Sequence, residues 1–219
     1  MLPLVTIVTP VRNGMPFLAE TLESVRRQDY PRIEHIAVDG GSTDGSVELL
    51  RRSPGVVCVS GPDRGMYDAI NRGFRMGHGE ILAYQNADDR YVVPGAVSAA
   101  VRHLADHAEA DVVFGDFRYI DEAGRPLPRR SPSPSRVDVH TLRRYNAVPP
   151  HSTFVRRRVV EGGHWLDPDL QFAGDWDWLL GMAAAGCRFG HLPEVLSEFR
   201  LHQGSKTRTA GWGLKLREW

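Results

Sequence analysis

Aspartates recur at regular places in this chain. Asp39, Asp63 and the pair Asp88-Asp89 each follow closely on a short apolar, β-branched run. If those runs are parallel strands of one open sheet, the residues after them share its carboxyl edge, where such folds bind ligands. Thr9, Pro10 and Asn13 reach the same edge after the first run. Carboxylates gathered there repel and need a counter-charge. Mg2+ or Mn2+ supplies one, and both take oxygen ligands together with substrate phosphates. Arg64 is placed to meet a phosphate or to balance Asp39. Each piece also has a plainer reading, with Asp39 and Asp44 as turn and cap residues and Asp88-Asp89 as a solvated loop. Independent caps have no reason to gather on one edge, so the joint arrangement favours a ligand site. Glycines at 40, 41 and 45 permit close backbone approach. The chain has neither G-x-G-x-x-G after its first run nor G-x-x-x-x-G-K-[ST], which removes the main support for dinucleotide and P-loop readings.

The elements that must position these groups are legible by period. Leu4 to Thr9, Ile33 to Val38, Val56 to Val59 and Glu80 to Gln85 read as strands. Between them Leu18, Leu22 and Val25, then Ser46 to Arg52, then Met66, Ile70 and Phe74 read as helices. This alternation predicts a doubly wound α/β half. Further on, Val97 to His107 reads as a helix, and Asp111 to Phe114 and Phe117 to Ile120 as two strands, followed by a turn at Asp121 to Gly124. Pro126, Pro128, Pro132 and Pro134 mark a loop, and Asp175 to Ala185 a helix with Trp176, Leu179, Leu180 and Ala183 on one face.

The 219 residues suit one domain, and 42% hydrophobic with 25% charged residues suits a soluble globular core. Lys+Arg and Asp+Glu are 27 each, so no basic excess supports nucleic-acid binding. Cys58 and Cys187 lie in apolar stretches and read as reduced core thiols. No apolar window is long enough for a membrane span, and the N-terminus lacks the pattern of a signal peptide. Lys206 and Lys215 are the only lysines, which reads as genome composition rather than chemistry. Arg125, Arg129, Arg130, Arg136, Arg143 and Arg144 form a local basic region, by default a solvated loop and more sharply a patch for an anionic membrane or lipid-diphosphate acceptor.

In order along the chain, Val5 to Asn13, Val38 to Ser46, Asp63 to Gly73, Gln85 to Asp89, His151 to Arg157, Ala173 to Leu179 and Phe199 to Thr207 resemble the motifs of glycosyltransferase family 2. The resemblance covers nearly the whole chain and implies a GT-A, Rossmann-like α/β fold. It implies a single domain over residues 1–219, with a mostly parallel central sheet flanked by helices. Residues 1–90 would then bind a nucleotide sugar, and residues 91–219 the acceptor. By the same resemblance Thr9, Pro10 and Asn13 line the base pocket, and Asp39 and the turn with Ser42 contact uracil. Arg64 sits near the diphosphate or the base, Asp88 contacts the ribose or sugar side, and Asp89 with His202 holds Mg2+ or Mn2+. The first carboxylate of the family's Asp-x-Asp motif is Asn86 here, which weakens the metal reading.

Glycosyl transfer needs a stabilised leaving diphosphate and a general base for the acceptor hydroxyl. The resemblance puts the base at Asp175, and a position opening a helix favours its ionised form. The family's usual preceding acid is Gly174 here. His151 and Trp176 are acceptor-side candidates, although helical spacing also suits Trp176 to the core. The expected enzyme is an inverting, metal-dependent transferase using a nucleotide sugar, UDP-linked. Its expected acceptor is a glycan or lipid-linked hydroxyl in glycan or polysaccharide biosynthesis. The expected location is cytoplasmic, with peripheral contact at the inner face of the membrane. A sugar nucleotidyltransferase and a weakly active nucleotide-sugar-binding module are the alternatives.

Overall fold

The computed structural model describes residues 1–128, 137–206 and 218. Its order is β1 (Val5–Val11), α1 (Leu18–Arg26), β2 (Ile33–Asp39), α2 (Ser46–Arg52), β3 (Val56–Ser60), α3 (Met66–Met76) and β4 (Ile81–Tyr84). Then come β5 (Arg90–Tyr91), α4 (Ala96–Asp106), β6 (Val112–Ile120), α5 (Val139–Leu142), a 3-10 turn (Pro150–Ser152), β7 (Thr153–Arg156), α6 (Arg157–Glu161), α7 (Gly174–Ala184) and β8 (Phe189–Arg200).

All eight strands form one sheet in the order β3-β2-β1-β4-β7-β6-β8-β5. The first four are parallel, β7 runs against both neighbours, β6 and β8 are parallel, and β5 runs against β8. The chain steps outward from β1 to β3 and then returns to place β4 on β1's other side. That reversal opens a crevice at the carboxyl ends of β1 and β4. Strand alternation supplies both layers of the core. Leu82 and Tyr84 face α3 and α7, packing with Phe74, Trp178 and Met182, while Ile81 and Ala83 face α4 with Val97, Ala100 and Leu104. This is the expected α/β class, with the doubly wound parallel half at its N-terminus and a mixed sheet overall.

Three elements differ from the sequence reading. The two strands expected around Gly115-Asp116 are one strand, β6, whose register with β8 shifts at Gly115/Asp116 and Asp116/Phe117. A bulge absorbs the break that glycine signals in sequence. Strand β8 was hidden by Gly190 and Pro193, residues that read as breakers. On α7 the buried face holds Gly174, Trp178, Leu179 and Met182, with Trp176 at its margin. Cys58 and Cys187 are free but only half-buried. No helix among the described residues is long and apolar enough to cross a membrane.

Candidate active site

A cleft of about 610 Å³ lies at the crevice between β1 and β4. Its rim is stitched by hydrogen bonds between the loops after β1 and β2. Asn13 N donates to Ser42 Oγ (2.7 Å), Thr43 N to Asn13 Oδ1 (2.9 Å), Gly14 N to Ser46 Oγ (3.0 Å) and Met15 N to Asp44 Oδ2 (2.9 Å). Asn13 adopts a left-handed φ of 51°, a conformation that asparagine tolerates. The cleft is lined by Pro10, Asn13, Arg64, Asp88, Asp175 and His202, and also by Asp63 and Lys206.

Thr9, Asp39 and Ser42 do not line it. Thr9 is fully buried and its hydroxyl meets His35 Nε2 at 2.9 Å. Asp39 is fully buried as the turn's anchor. Its carboxylate accepts from Gly41 N (3.0 Å), Ser42 N (3.2 Å) and Ser60 Oγ (2.7 Å). Burial alone would raise this carboxyl, but the bonds from Ser42, Ser60 and Gly41 hold it below the ordinary range. Arg64 therefore does not balance Asp39; its carboxylate neighbours are Asp68 (3.6 Å) and Asp169 (3.5 Å).

Of the adjacent aspartates, Asp88 faces the cleft and Asp89 does not. Asp89 is 1% exposed, with Oδ1 accepting Arg200 N (2.9 Å) and Oδ2 accepting Asn86 Nδ2 (2.9 Å). Burial, then the charge of Asp88, pushes its carboxyl well above the usual range. Asp88 Oδ2 lies 2.9 Å from His202 Nε2. His202 Nδ1 accepts the Gly204 N–H (3.2 Å), so Nε2 carries the ring proton that bonds Asp88. Among the described residues no group of three or more His, Cys, Asp or Glu is arranged to hold a metal. The chain offers two donors at this point, a carboxylate and an imidazole, and Asp89 is corrected to a buried support behind them.

Asp175 sits in the first turn of α7, where Oδ1 accepts Trp176 N at 2.8 Å. Burial raises its carboxyl to about 6, against the lowering by that N–H and by Lys206. The expectation that the helix start would favour the ionised form is thus reversed, because desolvation outweighs the helix terminus. A Cβ at position 174 would lie 2.5 Å from the Tyr67 ring, and the Tyr67 hydroxyl donates to Phe172 O (2.9 Å). Tyr67 thus occupies the space a side chain at 174 would need. We expect Gly174→Glu to overpack this contact at a cost of about 1–3 kcal/mol. A melting temperature in Gly174→Glu equal to wild type would refute the contact.

Of the acceptor-side candidates, neither lines the cleft. Trp176 Nε1 donates to Leu142 O (2.6 Å), fixing α7 against α5. His151 is 3% exposed, edge-on to Phe117 (4.8 Å), and burial lowers its ring to about 3. In the basic stretch, Arg125 pairs with Asp121 (2.8 Å), and Arg143 and Arg144 are exposed. Arg129, Arg130 and Arg136 lie outside the described residues.

Residues 6–163 match the family described as Glycosyl transferase family 2. The chain belongs to that family. An uncharacterized glycosyltransferase of Mycobacterium tuberculosis is 33% identical, the match covering 90% of this chain and 75% of the relative. S. aureus TarS 1-349 in complex with UDP-GlcNAc superposes with a TM-score of 0.77 at 18% identity, over 95% of this chain and 61% of that one. The mannosyltransferase PcManGT from Pyrobaculum calidifontis, in complex with GDP-Man and Mn2+, superposes with a TM-score of 0.71 at 24% identity, over 94% and 59%. The chain therefore spans about three-fifths of the solved chains whose GT-A-like fold it shares.

Within this family 2 chain, three residues at or behind the cleft carry no assigned role in the sequence analysis. Lys206 reaches the cleft near Asp175 and Asp63, and Nζ donates to Gln171 O (3.2 Å). Its signal was available, since a lysine is rare in a chain that otherwise uses arginine. Glu218 accepts from the N–H groups of Gln171 (2.9 Å), Phe172 (2.7 Å) and Ala173 (2.8 Å), just ahead of α7. Arg200 is fully buried behind Asp88. Arg200 lies in the family-like segment Phe199 to Thr207, but its type alone assigns it no role, and nothing in sequence marks Glu218.

Proposed function

We propose that the chain transfers a glycosyl group from a nucleoside-diphosphate sugar, UDP-linked, to an acceptor hydroxyl with inversion. The observation that carries this reading is one cleft lined by Asp175, raised to about 6, by the Asp88–His202 pair and by the cations Arg64 and Lys206. Asp175 removes the proton of the acceptor hydroxyl as its oxygen attacks the anomeric carbon. The bond from that carbon to the β-phosphate oxygen breaks, and the nucleoside diphosphate leaves with the electron pair. Single displacement inverts the centre. Arg64 and Lys206 compensate the charge growing on the leaving group.

Asp88 and His202 are the residues that would hold Mg2+ or Mn2+, in place of the proton now shared between them. Two protein donors fit an ion that completes its shell with diphosphate oxygens and water. Such an ion would supply Lewis-acid stabilisation of the leaving diphosphate. Residues 1–90 supply the nucleotide side of the cleft. The remainder supplies Asp175 and an acceptor side for a glycan or lipid-linked alcohol, and it also returns His202 and Lys206 to the donor. A peripheral membrane contact of the basic stretch belongs to the same reading.

Calorimetric titration with UDP and GDP, each with Mn2+ and again with chelator, tests the proposal. UDP should bind more tightly than GDP, chelation should weaken it, and UDP-sugars should release UDP in the presence of acceptor. Binding of neither nucleotide would overturn the reading. Binding without any turnover would favour the binding module instead.

A further inference from the structure

Arg200 is the last residue of β8 and, although fully buried, it is fully employed. Nε donates to Asp88 O (3.0 Å), Nη1 to Glu122 O (3.0 Å) and Nη2 to Glu20 Oε2 (2.7 Å). Its backbone N–H holds Asp89 (2.9 Å). The guanidinium lies over the Phe17 ring, 4.6 Å from its centroid, and that ring meets the His202 ring at 4.8 Å. One side chain thus touches Asp88 directly and the ring that packs on His202. It reaches Asp88 through the backbone carbonyl and His202 through Phe17. Arg200 does not line the cleft, so it does not meet substrate.

We infer that Arg200 is a positioning residue. Its planar fork, locked between the loop after β4 and Phe17, sets the separation and orientation of Asp88 and His202 and thereby the grip on the donor's diphosphate. This rests on the glycosyl-transfer reading above. A planar guanidinium suits the task because several N–H groups diverge in one plane while its face stacks on a ring. Lysine keeps the charge but loses both the fork and the stacked plane.

The test is Arg200→Lys, with Phe17→Leu as the second variant, because a buried arginine can be needed for folding. In folded Arg200→Lys, affinity for UDP with Mn2+ should fall about tenfold or more, as for other residues that orient metal ligands. Affinity for uridine, which has no phosphate, should not change. The His202 ring signals in a long-range 1H–15N spectrum of the unliganded protein, assigned by their loss in His202→Gln, should change from one hydrogen-bonded tautomer to a mixture. Equal weakening of uridine and UDP, or an unchanged His202 spectrum in a folded variant, overturns the proposal. If Arg200→Lys does not fold, Phe17→Leu should show the same spectral change, and its failure to do so is equally decisive. The spectrum needs no ligand. A wild-type protein that bound no nucleotide would overturn the donor reading while the spectrum still decides the role of Arg200.

Discussion

Asp175→Asn should lose about 10²- to 10⁴-fold in turnover while keeping its nucleotide affinity. The amide retains the acceptor oxygen that Trp176 N–H bonds at 2.8 Å, so the first turn of α7 is preserved. What it loses is the ability to take a proton. Burial places the wild-type carboxyl near 6. Because the base must be ionised, wild-type kcat/KM should fall about tenfold for each pH unit below that value and level off above it. The acid limb should vanish from the residual rate of Asp175→Asn. Stability should move the other way. A carboxyl raised in the fold from its ordinary 3.8 to about 6 opposes folding once ionised, by up to about 3 kcal/mol. The folded state binds the extra proton between these values, so this penalty grows as pH rises from about 4 to 6 and is full at pH 8. Asp175→Asn should therefore melt higher than wild type at pH 8, with the difference closing below pH 4. A variant that is inactive, less stable at pH 8 and unable to bind UDP would instead make Asp175 a structural residue.

The positions that sequence reading placed correctly and those it did not separate along one physical line. The strands β1 to β4 are legible because each is a short, mainly apolar or β-branched run; β1 and β4 are buried throughout, while β3 is a half-exposed edge strand, and the edge they share follows from the crossover rule. The burial of Thr9 against His35 was not legible, because alternation along β1 is hidden when both faces are apolar. Asp39 and Ser42 lie at the turn that the sequence predicts, but bonds from Gly41 and Ser60 hold Asp39 inward, and the half-exposed Ser42 spends its hydroxyl on Asn13 N at the rim. The helix that presents Asp175 was visible from its period, whereas the sign of its proton affinity depended on how deeply the turn is packed. His202 and Lys206 come from the segment after β8; the family-like run Phe199 to Thr207 is visible in sequence, but the strand that carries it to the cleft is masked by Gly190 and Pro193. Placement at an edge is a property of strands; orientation at that edge is a property of loop hydrogen bonds and could only be seen in space.

Asp88 and Asp89 make that distinction testable. Asp88→Asn should cost about 10²- to 10³-fold in turnover, the range for losing one group that stabilises developing charge. It should also leave UDP binding insensitive to chelator. Asp88 faces the cleft beside His202, and neutralising it removes one of the two donors available to a divalent ion. Asp89→Asn should leave metal dependence in place. Burial and the neighbouring charge of Asp88 already oppose ionisation of Asp89. An asparagine there can still accept the Arg200 N–H, and rotation of the Asn86 amide would let its oxygen, buried without a partner among the described residues, accept from the new amide. The expected cost of Asp89→Asn is one of stability, about 1 kcal/mol for a rearranged buried hydrogen bond. Turnover with Mn2+, measured in both variants across a Mn2+ titration, decides the assignment. Loss of the Mn2+ response in Asp89→Asn, with the response retained in Asp88→Asn, would return the metal to Asp89 and require the loop after β4 to turn over when the donor binds.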